Sequence, residues 1–193
     1  MSTFKELAKK NRSFRGYDRS IKQTKEQLLA LIDHVRYMPA ARNAQPLKYY
    51  LAYEEEVVKK IQGHTNWAGA LTEMTLPFEG EEPTSFIVIL HDTEIQPVVS
   101  QFQHDVGIAA ATITLAATEA NLGCCMIGAY SAVGVKEVMG LPDTLVPVLV
   151  IAIGKPIENI VLTDAIDGEI TYYRDSDNVH YVPKRKLADI ICE

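Results

Sequence analysis

VGIAAATITLAATEANLGCCMIG, Val106–Gly128, is the stretch on which the fold turns. From Val106 to Thr118 it carries no charge, and its residues are apolar or small on almost every side. A helix without a polar face belongs inside the molecule, between other layers. The pattern predicts a long central helix from about Gln96 to Leu122, with Gly123 as its C-terminal cap. CCMIG then reads as a short strand. Gly107, Ala109, Ala110, Ala111, Ala116 and Ala117 let another surface come close, either a layer of the same chain or a second copy of it.

Strands that can flank such a helix lie on both sides of it in sequence. SFIVIL (Ser85–Leu90) and VPVLVIAIG (Val146–Gly154) are continuous apolar runs of strand length, the pattern of strands covered on both faces. In LKYYLAYEEE, Tyr49, Leu51 and Tyr53 alternate with their neighbours at strand period. Thr3 with Glu6 and Thr24 with Gln27 form two capping boxes. The second opens a helix whose Leu28, Leu31, Ile32 and Val35 share one face, and Pro39 closes it. A short helix is expected from Ser131 to Met139, stopped by Gly140 and Pro142. Gln62–Glu82 reads as a short helix followed by a loop. From about residue 165 the chain reads as an extended arm with a final helical turn. The order implies a mixed α+β architecture around one sheet, in a single domain over residues 1–193.

Bulk properties narrow the function classes. The chain has 193 residues, 47% hydrophobic and 23% charged, as a soluble globular domain does. Lys and Arg number 19 against 25 Asp and Glu, a net charge of −6, which disfavours sequence-independent nucleic-acid binding. The three cysteines include the adjacent pair Cys124 and Cys125, lack metal-ligand spacing, and read as reduced thiols of a cytoplasmic protein. MSTFKELAKKNRSF lacks the apolar core of a secretory signal, and no uncharged run is long enough for a membrane span. Dinucleotide-fold, P-loop, zincin and nucleophile-elbow motifs are absent from the sequence.

Four segments can carry chemistry. NRSFRGYDR gathers Arg12, Arg15 and Arg19 around Ser13. Guanidinium forks bind phosphate bidentately and a hydroxyl adds a further bond; a solvated patch balancing Asp18 is the plainer reading. In MPAARNAQPLKYY, Pro39 and Pro46 bracket small residues with Asn43 and Gln45. Those amides suit the edge of a heterocycle, while an ordinary turn explains the same residues. NLGCCMIGAY ends a small-residue strand at Gly128, open to close approach of a ligand or filled by tight core packing. VPKRK near the C-terminus is a charge run or a second cationic clamp. Cys124 and Cys125 have no recognisable histidine partner and read as small buried hydrophobes.

Taken in order, these segments resemble the FMN-dependent nitroreductase family over essentially the whole chain. The likeness rests on Arg12-Ser13-x-Arg15, on PAARNAQP at Pro39–Pro46, on LAATEANLGCCMIG and on VLVIAIGKPIE at Val148–Glu158. Three departures stand out. Asn11 occupies a position that is basic in many members, Leu47 replaces a frequent tryptophan, and the segment 62–82 is short.

The resemblance implies a mixed-sheet sandwich with helices on both faces, paired as an intertwined homodimer whose C-terminal arm, about 165–193, packs on the partner subunit. It implies FMN as cofactor, with Arg12, Ser13 and Arg15 at its phosphate and Lys184 and Arg185 completing that site. Pro39, Ala40, Ala41, Asn43 and Gln45 border the flavin ring, and Met126, Ile127 and Gly128 contribute main-chain contacts. Arg42 and Trp67 become candidates for substrate contact. No side chain is assigned a catalytic role and no metal is implied. The implied activity is NADH- or NADPH-dependent reduction of nitroaromatic, quinone or similar small acceptors by ping-pong hydride transfer. Alternatives are a specialised flavin chemistry on the same fold (oxidation, fragmentation or dehalogenation) and a non-catalytic FMN-binding module.

Overall fold

The computed structural model describes residues 3–192. Its centre is β3 (Ser85–Asp92), paired on one side with β2 (Leu47–Ala52) and on the other with β5 (Leu145–Pro156), all antiparallel. β5 is the longest strand. It also pairs with β4 (Gly123–Ile127) and, through its last two residues, with the two-residue β1 (Tyr17–Asp18).

Strand alternation sends the two faces of β3 into separate cores. Phe86, Val88 and Leu90 pack with Val58, Ile61, Val135 and Met139 of α3 (Glu55–Gln62) and α5 (Ala132–Met139). Ile87 and Ile89 face Leu28 and Leu31 of α2 (Lys25–Asp33) and Val106, Ala109, Ala110, Ile113 and Ala117 of α4 (Gln103–Glu119). Helices therefore cover both faces, which is why β3 and β5 are apolar throughout rather than alternating. Both expected capping boxes close, at Thr3–Glu6 on α1 (Phe4–Lys10) and at Thr24–Gln27 on α2.

Four expectations are corrected. Of Gln62–Glu82 only Gln62 is α-helical, as the last residue of α3, which lies almost wholly before the segment and takes its apolar stripe from Val57, Val58 and Ile61. α4 begins at Gln103, after a 3₁₀ turn over Val99–Phe102, and it keeps Gln103, His104, Gly107 and Ala111 exposed. Gly123 does not cap α4. Asn121 takes the left-handed position (φ 60°), and Gly123 opens β4, where a Cβ would meet the Phe14 ring at 2.7 Å and Pro156 at 2.8 Å. The single sheet is in fact two. The C-terminal region forms a second sheet in which β8 (His180–Lys184) runs parallel to β6 (Ile160–Asp164) and antiparallel to β7 (Tyr173–Arg174). A 3₁₀ turn over Leu187–Ile190 supplies the expected final helical turn. No helix among the described residues is long and apolar enough to cross a membrane.

Candidate functional site

The basic segment leaves α1 at Asn11 and runs beside β4, where Phe14 N–H donates to the Cys124 carbonyl at 2.9 Å. There it lines a cavity of about 340 Å³ whose other walls come from α4, β4 and the C-terminal sheet. Arg12, Ser13, Arg15, Met126 and Lys184 share this cavity. Asn11 is there too, its amide donating to Thr114 Oγ1 at 3.0 Å, so this departure from the family pattern adds a neutral group.

Arg15 is held from both ends. Its backbone N–H donates to Glu158, whose other carboxylate oxygen accepts from the Arg174 guanidinium. The Glu158 and Arg174 side chains are 4% and 2% exposed, making this a buried ion pair. Gly16 makes room for it, because a Cβ there would lie 3.1 Å from Glu158 Cγ. The Arg15 guanidinium lies over the Tyr172 ring (5.2 Å to its centroid) and reaches the Ser13 carbonyl at 3.2 Å and His180 Nε2 at 3.4 Å. Arg12 donates to the Ala8 carbonyl at 2.8 Å. Neither Arg12 nor Arg15 forms an ion pair among the described residues, and the Nε of each is buried without a partner. Two uncompensated guanidiniums beside one cavity attract an anion.

The proline-bracketed turn lies elsewhere on the surface. Pro39, Ala40 and Gln45 line a separate cavity of about 170 Å³ with α2 and α4. Arg42, Asn43 and Gln45 all have positive φ, 55°, 54° and 49°. Non-glycine residues rarely adopt that region, and three in one turn store strain of a kind that clusters at ligand sites. Asp105, 6% exposed in the first turn of α4, holds the turn by accepting the Ala41 N–H on both carboxylate oxygens at 3.1 Å.

Ile127, Gly128, Arg185 and Trp67 fall outside both cavities. Ile127 is a core side chain and Gly128 sits exposed beyond the end of β4. Arg185 is exposed after β8. Trp67 packs against the α3/α5 core, its indole N–H donating to Thr65 Oγ1 at 2.8 Å. Burial pushes the Cys125 thiol up to about 11 and that of Cys124 higher still, so neither is a thiolate nucleophile at neutral pH. Glu158, Arg174, His180, Tyr172 and Asp105 also belong to the site, and the sequence does not single them out. Glu158 stands within the KPIE segment, but nothing local marks any of the five as part of a site.

Comparison with known proteins agrees with this architecture. The model of the nitroreductase family matches residues 8–155, and the chain belongs to that family. A curated relative from Methanothermobacter thermautotrophicus, provisionally named an NADH dehydrogenase/NAD(P)H nitroreductase, is 26% identical over 85% of this chain and 83% of its own. A nitroreductase family protein from Clostridium novyi NT, also 26% identical, superposes with a TM-score of 0.66 over 80% of this chain and 87% of its own. A protein from Exiguobacterium sibiricum, provisionally described as a nitroreductase and solved in complex with FMN, is 20% identical. It shares the fold with a TM-score of 0.67 over 82% of this chain and 90% of its own.

Proposed function

We propose that the protein is an FMN-dependent oxidoreductase that takes electrons from NADH or NADPH and reduces nitroaromatic, quinone or similar small acceptors. Family membership supports this, as do the provisional name of the archaeal relative and the FMN in the Exiguobacterium structure. The observation that carries it is the pair of guanidiniums, Arg12 and Arg15, turned to one cavity with buried, unpartnered Nε groups and no carboxylate to neutralise them. A dianionic phosphate monoester fits that donor set, and Ser13 and Lys184 add a hydroxyl and an ammonium.

Bound FMN supplies the centre that accepts and passes on hydride. The chain's part is to hold it. Arg12, Arg15 and Lys184 neutralise the phosphate, and the Ser13 hydroxyl adds a hydrogen bond. Asn43 and Gln45 offer donors and acceptors to the edge of the ring, and Ala40 and Ala41 leave space for a flat ligand. Met126, 43% exposed on the cavity wall, gives an apolar contact, with the Gly128 main chain beyond it. Arg42, exposed on the strained turn, is the candidate contact for the acceptor or the nicotinamide donor. The basic cavity and the turn are two separate surfaces of one chain, which is the expected arrangement if each complete site draws one half from each subunit of a homodimer. The exposed strip of α4 at Gly107 and Ala111 suits close packing of that second copy, and the C-terminal region from about 165 is its companion contact.

The test is direct. The purified protein is titrated with FMN and assayed with NADH or NADPH against a nitroaromatic and a quinone. Saturable FMN binding with turnover is expected. Arg15→Ala should weaken FMN binding about 100-fold, the loss of charge-assisted hydrogen bonds to a phosphate. A protein that takes up no FMN overturns the proposal, and one that binds FMN without turnover leaves a flavin-binding module.

A further inference from the structure

Arg15 Nη1 carries two N–H groups: one donates to the Ser13 carbonyl at 3.2 Å, and for the other the chain provides His180 Nε2 at 3.4 Å. This histidine is 2% exposed at the start of β8. Its backbone N–H donates to the Asn159 carbonyl at 2.9 Å, it stands opposite Arg174 in the β7–β8 pair, and its ring tilts against Tyr172 at 5.3 Å. Its charged surroundings are Arg15 on one side and Arg174 on the other, and Glu158, the carboxylate of this network, is already engaged by Arg174 and the Arg15 N–H. His180 Nδ1 is buried and without a partner among the described residues.

The choice of residue type follows from electrostatics. A carboxylate here would satisfy Arg15 but cancel the charge that attracts the anion. An imidazolium would lie between two guanidiniums and be repelled by both. A neutral acceptor satisfies Nη1 and leaves the positive charge of Arg15 undiminished. We propose that His180 is a positioning residue of the anion site: as neutral imidazole it accepts from Arg15 through Nε2, holds the guanidinium over Tyr172, and keeps its charge available to phosphate. This deepens the functional reading above and rests on it for the identity of the phosphate. Burial, with Arg15 and Arg174 nearby, lowers the imidazole pKa to about 4, consistent with a neutral ring.

Three substitutions separate acceptor from charge. His180→Gln keeps a neutral acceptor and should bind FMN within about threefold of the unsubstituted protein. His180→Phe removes the acceptor and should bind about tenfold more weakly. His180→Glu restores an acceptor but neutralises Arg15, and should be weaker by about 10- to 100-fold. A merely structural role would not distinguish glutamine from glutamate in this order. Equal affinity of the glutamine and glutamate variants, or a phenylalanine variant that binds normally, overturns the inference. If the variants do not fold, ring-nitrogen NMR of the unsubstituted protein decides. Nε2 without a proton at neutral pH, with a shift on adding inorganic phosphate, is expected; a protonated Nε2 or no shift overturns it. Inorganic phosphate also separates the two proposals. Binding of phosphate but not FMN sinks the flavin reading and leaves the role of His180 standing.

Discussion

Two buried carboxylates, Glu158 and Asp105, each hold one half of the candidate site by accepting a backbone N–H, yet they are unlike in electrostatic setting. Glu158 takes the Arg15 N–H and is also paired with a buried guanidinium, so its charge is compensated. Asp105 takes the Ala41 N–H on both oxygens and forms no ion pair among the described residues. Buried charge is concentrated in one of the two regions. The basic cavity is built around a network of buried charges. The strained turn hangs from a single backbone N–H donated to its carboxylate and stays largely exposed.

Removing Glu158 gives the largest expected effect. Glu158→Ala leaves Arg174 buried without its counter-charge and should cost about 3 to 5 kcal/mol in urea unfolding. A loss below about 1 kcal/mol would mean that Arg174 simply swings out to water and that the network is not a support.

The next effect is a pH dependence confined to the basic half. The unfolded histidine titrates near its ordinary value of 6.5 and His180 in the folded protein only near 4. The unfolded state therefore binds more protons in that window, and stability should fall as pH drops from about 6.5 towards 4. The full loss is on the order of 3 kcal/mol. Unfolding free energies measured across this range should slope less steeply in His180→Gln. An unchanged slope would assign the acid sensitivity to other groups.

Asp105 should give the smallest effect. Asp105→Ala leaves the Ala41 N–H unmatched but also relieves an uncompensated buried charge, so a net loss of about 1 to 2 kcal/mol is expected. Asp105→Asn should be nearly neutral. Both should also bring down the pKa of Tyr49, which is pushed up to about 12 by burial first and by Asp105 second. Spectrophotometric titration reads that shift, and an unmoved Tyr49 would disconnect the two groups.

Much of the fold is legible in the sequence. The uncharged run from Val106 marks α4, the apolar runs mark β3 and β5, and Thr3–Glu6 and Thr24–Gln27 mark two helix starts. α3 escapes that reading although its signal is present, with acidic residues in the first turn, basic ones in the last and Val57, Val58 and Ile61 at helical spacing. With only eight residues, it follows so closely on the alternating tyrosines of β2 that the strand period masks the helical one. Of the basic cavity, the sequence singles out Arg12, Ser13, Arg15 and Lys184 but not the residues that hold Arg15.

Caps, strand and helix periods, and a cluster of cations within one short segment are all written in neighbouring residues and can be read there. Which cations act together, and which groups hold them, was decided only in three dimensions. Asn11 meets Thr114 across 103 positions, Arg15 meets Glu158 across 143 and His180 across 165. A hydrogen-bond partner is chosen by distance in space after the sheets have packed, and no local period of the chain encodes that distance.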